Sequence, residues 1–276
     1  MKFNIRESLF RIWYWYVNKV DKNAEVLFMN YGYYNDNENV TLSEDYESNR
    51  YSIQLYHHLA NETEINNKDI IEIGCGRGGG LSYITKHFAP SSALGIDLDK
   101  RAVSFCTNYY DLPELSFKQG DAQKLDLHDA SCDIIFNVES SHRYPDMGAF
   151  LKEVYRILRH DGYFLYTDFR YDYEMEDLKK ELEKSGLTVI KEQLITNQVV
   201  AALELDDARR RNLIKKLAPK FLHKIALNFA GTVGSETYNQ FENEKIYLLQ
   251  LRVEEAIVSY NLLTNNSIFY LMHSTL

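Results

Sequence analysis

From Lys68 onward, short apolar runs of strand length alternate with stretches of helical periodicity. Runs at 69–73, 92–97, 115–118, 132–137, 162–168 and 187–195 predict strands, with helices near 79–88, 99–110, 146–159 and 173–185 between them. Asp99 and the pair Pro145-Asp146 are start signals for the second and third of these helices. A seventh strand at 246–252 follows only after about 50 residues, too far for a hairpin. The interval 196–245 therefore predicts an insertion, with helices near 204–217 and 219–230 before Gly231 and Gly234. At the ligand-binding end of a sheet, such an insertion forms a lid or a substrate wall. The expected fold class is α/β, a doubly wound and mostly parallel seven-stranded sheet.

Residues 1–60 carry a dense aromatic series: Phe10, Trp13, Tyr14, Trp15, Tyr16, Phe28, Tyr31, Tyr33 and Tyr34. It predicts a helical extension packed on the core, with Trp13 to Tyr16 open to a second role at a membrane surface or a partner. Thr41 with Glu44 predicts a capping box for a helix running through about Leu59. The expected organisation is an N-terminal cap (1–60), a core (61–195 plus 246–252), a lid (196–245) and a C-terminal tail (253–276). The tail is apolar in places, as at 268–272, and its role is not legible.

With 276 residues and 45 % hydrophobic side chains, the chain can bury one full core and still carry an added lobe. A net charge of −9 argues against a nucleic-acid surface and favours a small or apolar substrate. Cys75, Cys106 and Cys132 fall in three different elements and form no metal or redox pattern, as in a reduced compartment. The chain opens with no secretory pattern and holds no apolar run near the roughly 18 residues of a membrane span, so a cytoplasmic location is expected. Peripheral membrane contact and homo-oligomerisation stay open.

The densest chemical signal is Asp69 to Gly80, a short apolar strand ending in an acid and then a glycine loop that runs into a helix. Gly74, Gly76 and Gly78 let a ligand approach main-chain N–H groups. Gly74, Gly76 and Gly79 also satisfy GxGxxG, so the loop alone does not exclude a dinucleotide. Glu72 does argue against one, because a carboxylate there repels a pyrophosphate and suits an ammonium-bearing cofactor. Asp97, a little over 20 residues beyond the loop, stands where an acid bonds ribose hydroxyls. Asp121, in Gly120-Asp121-Ala122 after the third strand, stands where an adenine amine donates, although a solvated turn aspartate reads the same way.

Residues 69–168 together resemble the class I S-adenosylmethionine-dependent methyltransferases, whose core is Rossmann-like. The resemblance implies that Glu72, Gly74, Gly76 and Gly78 hold the methionine part, Asp97 the ribose, and Asp121 and Ala122 the adenine. It adds Cys75, Leu98, Asn137 and Tyr31 to the cofactor contacts and implies no metal. The run Asn137-Val-Glu-Ser-Ser-His142-Arg-Tyr144-Pro-Asp146 is similar to small-molecule enzymes of that class acting on sterols, sugars, tocopherols and polyketides. By that likeness His142 faces the acceptor as general base, Asp168 orients it, and Tyr33, Glu139 and Tyr144 contact the acceptor. An imidazole suits that task because its pKa lies near working pH, while a structural histidine and a helix-capping aspartate are the rival readings. From Asn30 through the lid to Tyr238, the chain looks most like the phthiotriolone and phenolphthiotriolone dimycocerosate methyltransferases. A hydroxyl of a lipophilic molecule is then the expected acceptor. Carbon methylation, an NAD-dependent dehydrogenase and a non-catalytic cofactor-binding protein are the alternatives. Phe169 stands where magnesium-dependent relatives carry a metal-binding amide, and no set of oxygen ligands for a hard cation can be assembled.

Overall fold

The computed structural model describes residues 16–255, apart from Asn18, Lys19, Lys22 and Asn39. The aromatics Phe10, Trp13, Tyr14 and Trp15 and the tail beyond Glu255 lie outside the described residues. Seven strands form one sheet in the order β3-β2-β1-β4-β5-β7-β6: β1 Asp69–Ile73, β2 Ser92–Asp97, β3 Leu115–Gln119, β4 Cys132–Val138, β5 Leu158–Tyr171, β6 Leu187–Leu194 and β7 Ile246–Glu255. β1 to β5 pair in parallel, and β7 runs antiparallel to both β5 and β6. This is the mostly parallel α/β sheet expected from the alternation of elements.

Helices cover both faces, which is why β1 and β4 are buried almost end to end. On one face α2 (Arg50–Ala60), α3 (Gly79–Phe88) and the long α7 (Thr196–Leu217) surround Ile70, Phe136 and Leu248. On the other, α5 (Met147–Ile157) and α6 (Asp172–Lys184) cover Ile73, Ile135 and Phe164. α4 (Lys100–Tyr109) starts at Asp99, whose side chain accepts from the Arg101 N–H at 2.9 Å; Asp146 caps α5 through the Ala149 N–H at 2.8 Å. The strand order reverses between β1 and β4, so their carboxyl ends open the crevice where ligands gather in such sheets.

Several boundaries differ from those read in the sequence. The Thr41–Glu44 capping box does not form: a short α1 (Glu44–Glu47) starts after Ser43, and α2 begins only after a turn. β5 starts at Leu158 rather than 162, through a register shift against β4 between Cys132 and Ile134. The insertion's first helix begins at Thr196, not 204. Its buried stripe runs Val199, Leu203, Asp206, Arg210, Ile214 with an ion pair inside it, and the helix follows β6 with only Ile195 between them. The insertion continues as a tight turn at Lys220–Leu222, then α8 (His223–Phe229) and α9 (Glu236–Glu242).

Candidate active site

A cavity of about 610 Å³ opens at the carboxyl ends of β1 and β2. Gly74, Cys75, Gly76 and Gly79 form its floor, Asp97 and Leu98 one side, and Asp121, Ala122, Ser140 and Tyr144 the other. The glycines are required here. A Cβ on Gly74, whose φ is +79°, would run into Ser140, one on Gly79 would stand 2.6 Å from the Leu27 carbonyl oxygen, and one on Gly80 would overlap the Tyr56 ring. Asp97 accepts the Gly76 N–H at 2.9 Å and the Asp99 N–H at 2.8 Å, which fixes its carboxylate at the cavity edge. Burial outweighs those bonds and raises its pKa to about 6. Beside it Leu98 is 66 % exposed, an apolar side chain left on the cavity wall. Asp121 is exposed and bonds the Gln123 N–H at 3.0 Å.

A smaller cavity adjoins the first, and Phe28, Met29, Asn30, Glu139 and Arg143 line both. Its walls are Tyr31, Phe169 and His142 on the core side, and Leu213, Ile214, Leu217, Ala226 and Phe229 from the insertion. His142 sits on the tight turn Ser141–Arg143 just after β4. Its Nδ1 lies 2.7 Å from Asp168 Oδ1, and its ring packs against Phe169 at 4.0 Å between centroids. Asp168, fully buried near the end of β5, also accepts from the His142 N–H, the Ser141 hydroxyl and the Phe169 N–H, with Arg170 Nη1 at 3.2 Å. Burial alone would raise the Asp168 pKa, but His142, Arg170 and these hydrogen bonds hold it well below the usual carboxylate range. An ionised Asp168 fixes the proton on Nδ1 and leaves Nε2 as an acceptor. Arg143 Nε donates to that Nε2 at 3.0 Å. Burial, reinforced by the Arg143 and Arg170 cations and opposed by Asp168, lowers the His142 pKa. The arrangement is an oriented neutral imidazole on the wall of the smaller cavity, beside Arg143, which lines both.

Glu139 has a φ of +45°, and both its carboxylate oxygens lie 3.0 Å from the Tyr31 N–H. Burial pushes its pKa up to about 8, so at neutral pH much of it is a protonated carboxyl between the cavities.

Several of the residues singled out in the sequence stand elsewhere than in the lining expected of them. Glu72 is fully buried and does not line the cavity: its Oε1 accepts from the Tyr56 hydroxyl at 2.7 Å, and Tyr56 forms the wall instead. Gly78 turns the loop at φ +73° against Phe117 and Tyr110, outside the lining. Asn137 is equally buried, its Nδ2 donating to the Ile73 carbonyl, Ser140 and Tyr144. Tyr31 lines the second cavity, packed on Phe169 and Phe241, and not the first. Tyr144 does the reverse, lining the first. Tyr33 reaches neither, because it stacks on His58 at 4.2 Å with its hydroxyl on Glu38. Arg143 stands inside the quoted His142 segment and received no role from it; Arg210 had no local signal at all. Arg210 Nη2 donates to the Tyr31 carbonyl at 2.9 Å and Nη1 to that of Ala230, tying the insertion to the N-terminal cap. Among the described residues no His, Cys, Asp and Glu cluster has metal-binding geometry.

Residues 71–166 match the family model described as a methyltransferase domain. The chain is 38 % identical over 223 residues to the fatty-acid O-methyltransferase of Mycolicibacterium smegmatis, covering 80 % of this chain and 81 % of that one. It is 34 % identical over 240 residues to a phthiotriol/phenolphthiotriol dimycocerosates methyltransferase of Mycobacterium tuberculosis, covering 86 % and 89 %. Among solved structures, the geranyl diphosphate C-methyltransferase of Streptomyces coelicolor superposes with a TM-score of 0.64 over 92 % of this chain and 99 % of that one, at 12 % identity, a likeness of fold. With relatives this similar over four-fifths of both chains, the chain belongs to the class I S-adenosylmethionine-dependent methyltransferases.

Proposed function

We propose that the chain transfers a methyl group from S-adenosylmethionine to a hydroxyl oxygen of a lipophilic small molecule. The observation that carries this reading is the neutral His142, held by Asp168, facing a largely apolar cavity that meets the glycine-floored one. The larger cavity suits the cofactor on two counts: a bare main-chain floor that a Cβ would fill, and a half-buried carboxylate, Asp97, at its edge. Gly74, Cys75 and Gly76 would hold the methionine part, Asp97 the ribose, and Leu98, Asp121 and Ala122 the adenine. When bound, the cofactor supplies a methyl group already activated by the sulfonium.

The chain's own work is then alignment and proton removal. Apolar walls from Tyr31, Phe169 and the insertion would orient the acceptor and keep water out, and alignment of this kind supplies most of the rate. His142 Nε2 would take the hydroxyl proton as oxygen attacks the methyl group. Asp168 would stabilise the imidazolium that results, and the Nδ1 bond would keep the ring aimed. Arg143 must first release Nε2, so acceptor entry exchanges one hydrogen bond for another.

Arg143, Arg209 and Arg210 all line the second cavity, which favours one other reading, in which the accepting oxygen belongs to a carboxylate. The name of the Mycolicibacterium relative agrees with it. A carboxylic acid is already ionised at neutral pH and needs no base, so loss of His142 would then hardly slow turnover. Incubating the protein with isotopically labelled S-adenosylmethionine and fractionated host lipids, followed by mass analysis of the product, separates methyl ethers from methyl esters.

A further inference from the structure

The insertion carries charge of one sign. Between residues 208 and 235 stand Arg209, Arg210, Arg211, Lys215, Lys216, Lys220 and Lys224 with no aspartate or glutamate, in a chain of net charge −9. Four of the seven are ion-paired within the fold: Arg209 and Arg210 share Asp206, Arg211 pairs with Asp207, and Lys216 with Glu25. Lys215, Lys220 and Lys224 are exposed and have no ion pair among the described residues. Phe221 stands in their midst, on the turn between α7 and α8, with 80 % of its surface in solvent.

The same short stretch has a second face. Leu213, Ile214 and Leu217 at the end of α7, with Ala226 and Phe229 of α8, line the smaller cavity from within. One corner of the molecule therefore joins an outward-facing aromatic and three free lysines to the inner wall of the acceptor cavity. An aromatic that can enter the headgroup layer, combined with lysines that meet anionic phosphates, supplies the two signals that peripheral attachment needs. Elsewhere the acidic surface would be repelled, which fixes the orientation of approach.

We propose that the corner formed by Lys215, Lys220, Phe221 and Lys224 docks on an anionic lipid bilayer and turns the acceptor cavity toward it. The choice of a bilayer over another basic-patch partner rests on the lipophilic acceptor of the proposed function, while the test below involves no acceptor and no turnover. The full chain is mixed with sedimenting vesicles of phosphatidylcholine alone or with added phosphatidylglycerol. Binding is expected only to the anionic vesicles and is expected to be lost near 1 M salt, where the screening length falls to about 3 Å. The variant Lys220→Glu/Phe221→Ser/Lys224→Glu should bind roughly tenfold or more weakly, with unchanged Tm and unchanged affinity for S-adenosylhomocysteine. Lys215→Glu alone should weaken binding to a smaller extent. Equal binding to neutral vesicles, or full binding by the triple variant, would overturn the proposal. So would a lack of vesicle binding accompanied by a dimer that the same variant dissociates, since the corner would then be a protein interface.

Discussion

At His142 the direction of the pKa shift decides how the rate responds to pH. As the proposed base, His142 would work only when neutral, and burial holds its pKa below the 6.5 of a free imidazole. As pH falls, kcat/KM should therefore stay level through 6.5 and decline only at more acidic values. Arg143→Gln removes a cation that lowers this pKa, so the acid limb should move toward higher pH, a shift that a purely structural arginine would not cause. His142→Ala should lower turnover by roughly 10²-fold or more and leave calorimetric affinity for S-adenosylhomocysteine intact; full activity across pH would make the histidine structural. Asp97→Ala should act on the other cavity and weaken cofactor affinity by about 1.5–3 kcal/mol, the worth of a hydrogen bond to a charged group. These residues could be picked out in the sequence because each stands at a strand end in a short motif. Arg143 and Arg210 could not be assigned there, since their roles depend on what they reach across the fold. Glu72 and Asn137 show the converse: motif positions whose side chains turn into the protein and support the wall from behind.

At the scale of elements, the periodic segments were legible and the joints between them were not. All seven strands and the four core helices fall near the predicted spans, most plainly where the apolar run is unbroken, as in β1 and β4. α7 begins eight residues earlier than its predicted start, because it follows β6 with only Ile195 between them and no turn residue marks the change. The cap is tied to the core. Arg77 in the glycine loop lies within 3.4 Å of the buried Asp21 carboxylate and over the Phe105 ring, so that loop and the N-terminal segment share one ion pair. Helix α3 meets α2 at Gly80, where there is no room for a side chain. Gly80→Ala should displace the Tyr56 ring, destabilise the fold by about 1–3 kcal/mol as overpacking does, and weaken cofactor binding as well. Denaturant melts with a parallel S-adenosylhomocysteine titration check both effects, and a variant with unchanged affinity would separate Tyr56 from the cofactor wall.

Across the whole molecule, two cavities meet along Phe28, Met29, Asn30, Glu139 and Arg143, and three parts of the chain build that junction. The core supplies the glycine floor and the His142–Asp168 pair, the N-terminal segment the roof, and the insertion the apolar far wall. Among the described residues no helix is long and apolar enough to cross a membrane. The central claim is oxygen methylation of such an acceptor with His142 as base. Its most direct test is mass analysis of the product formed from labelled S-adenosylmethionine and host lipids, run in parallel with the wild-type protein and His142→Ala. The account predicts a labelled methyl ether of a lipid, formed by the wild type and reduced roughly 10²-fold or more in the variant. A labelled methyl ester or C-methyl product formed equally by both proteins would contradict it.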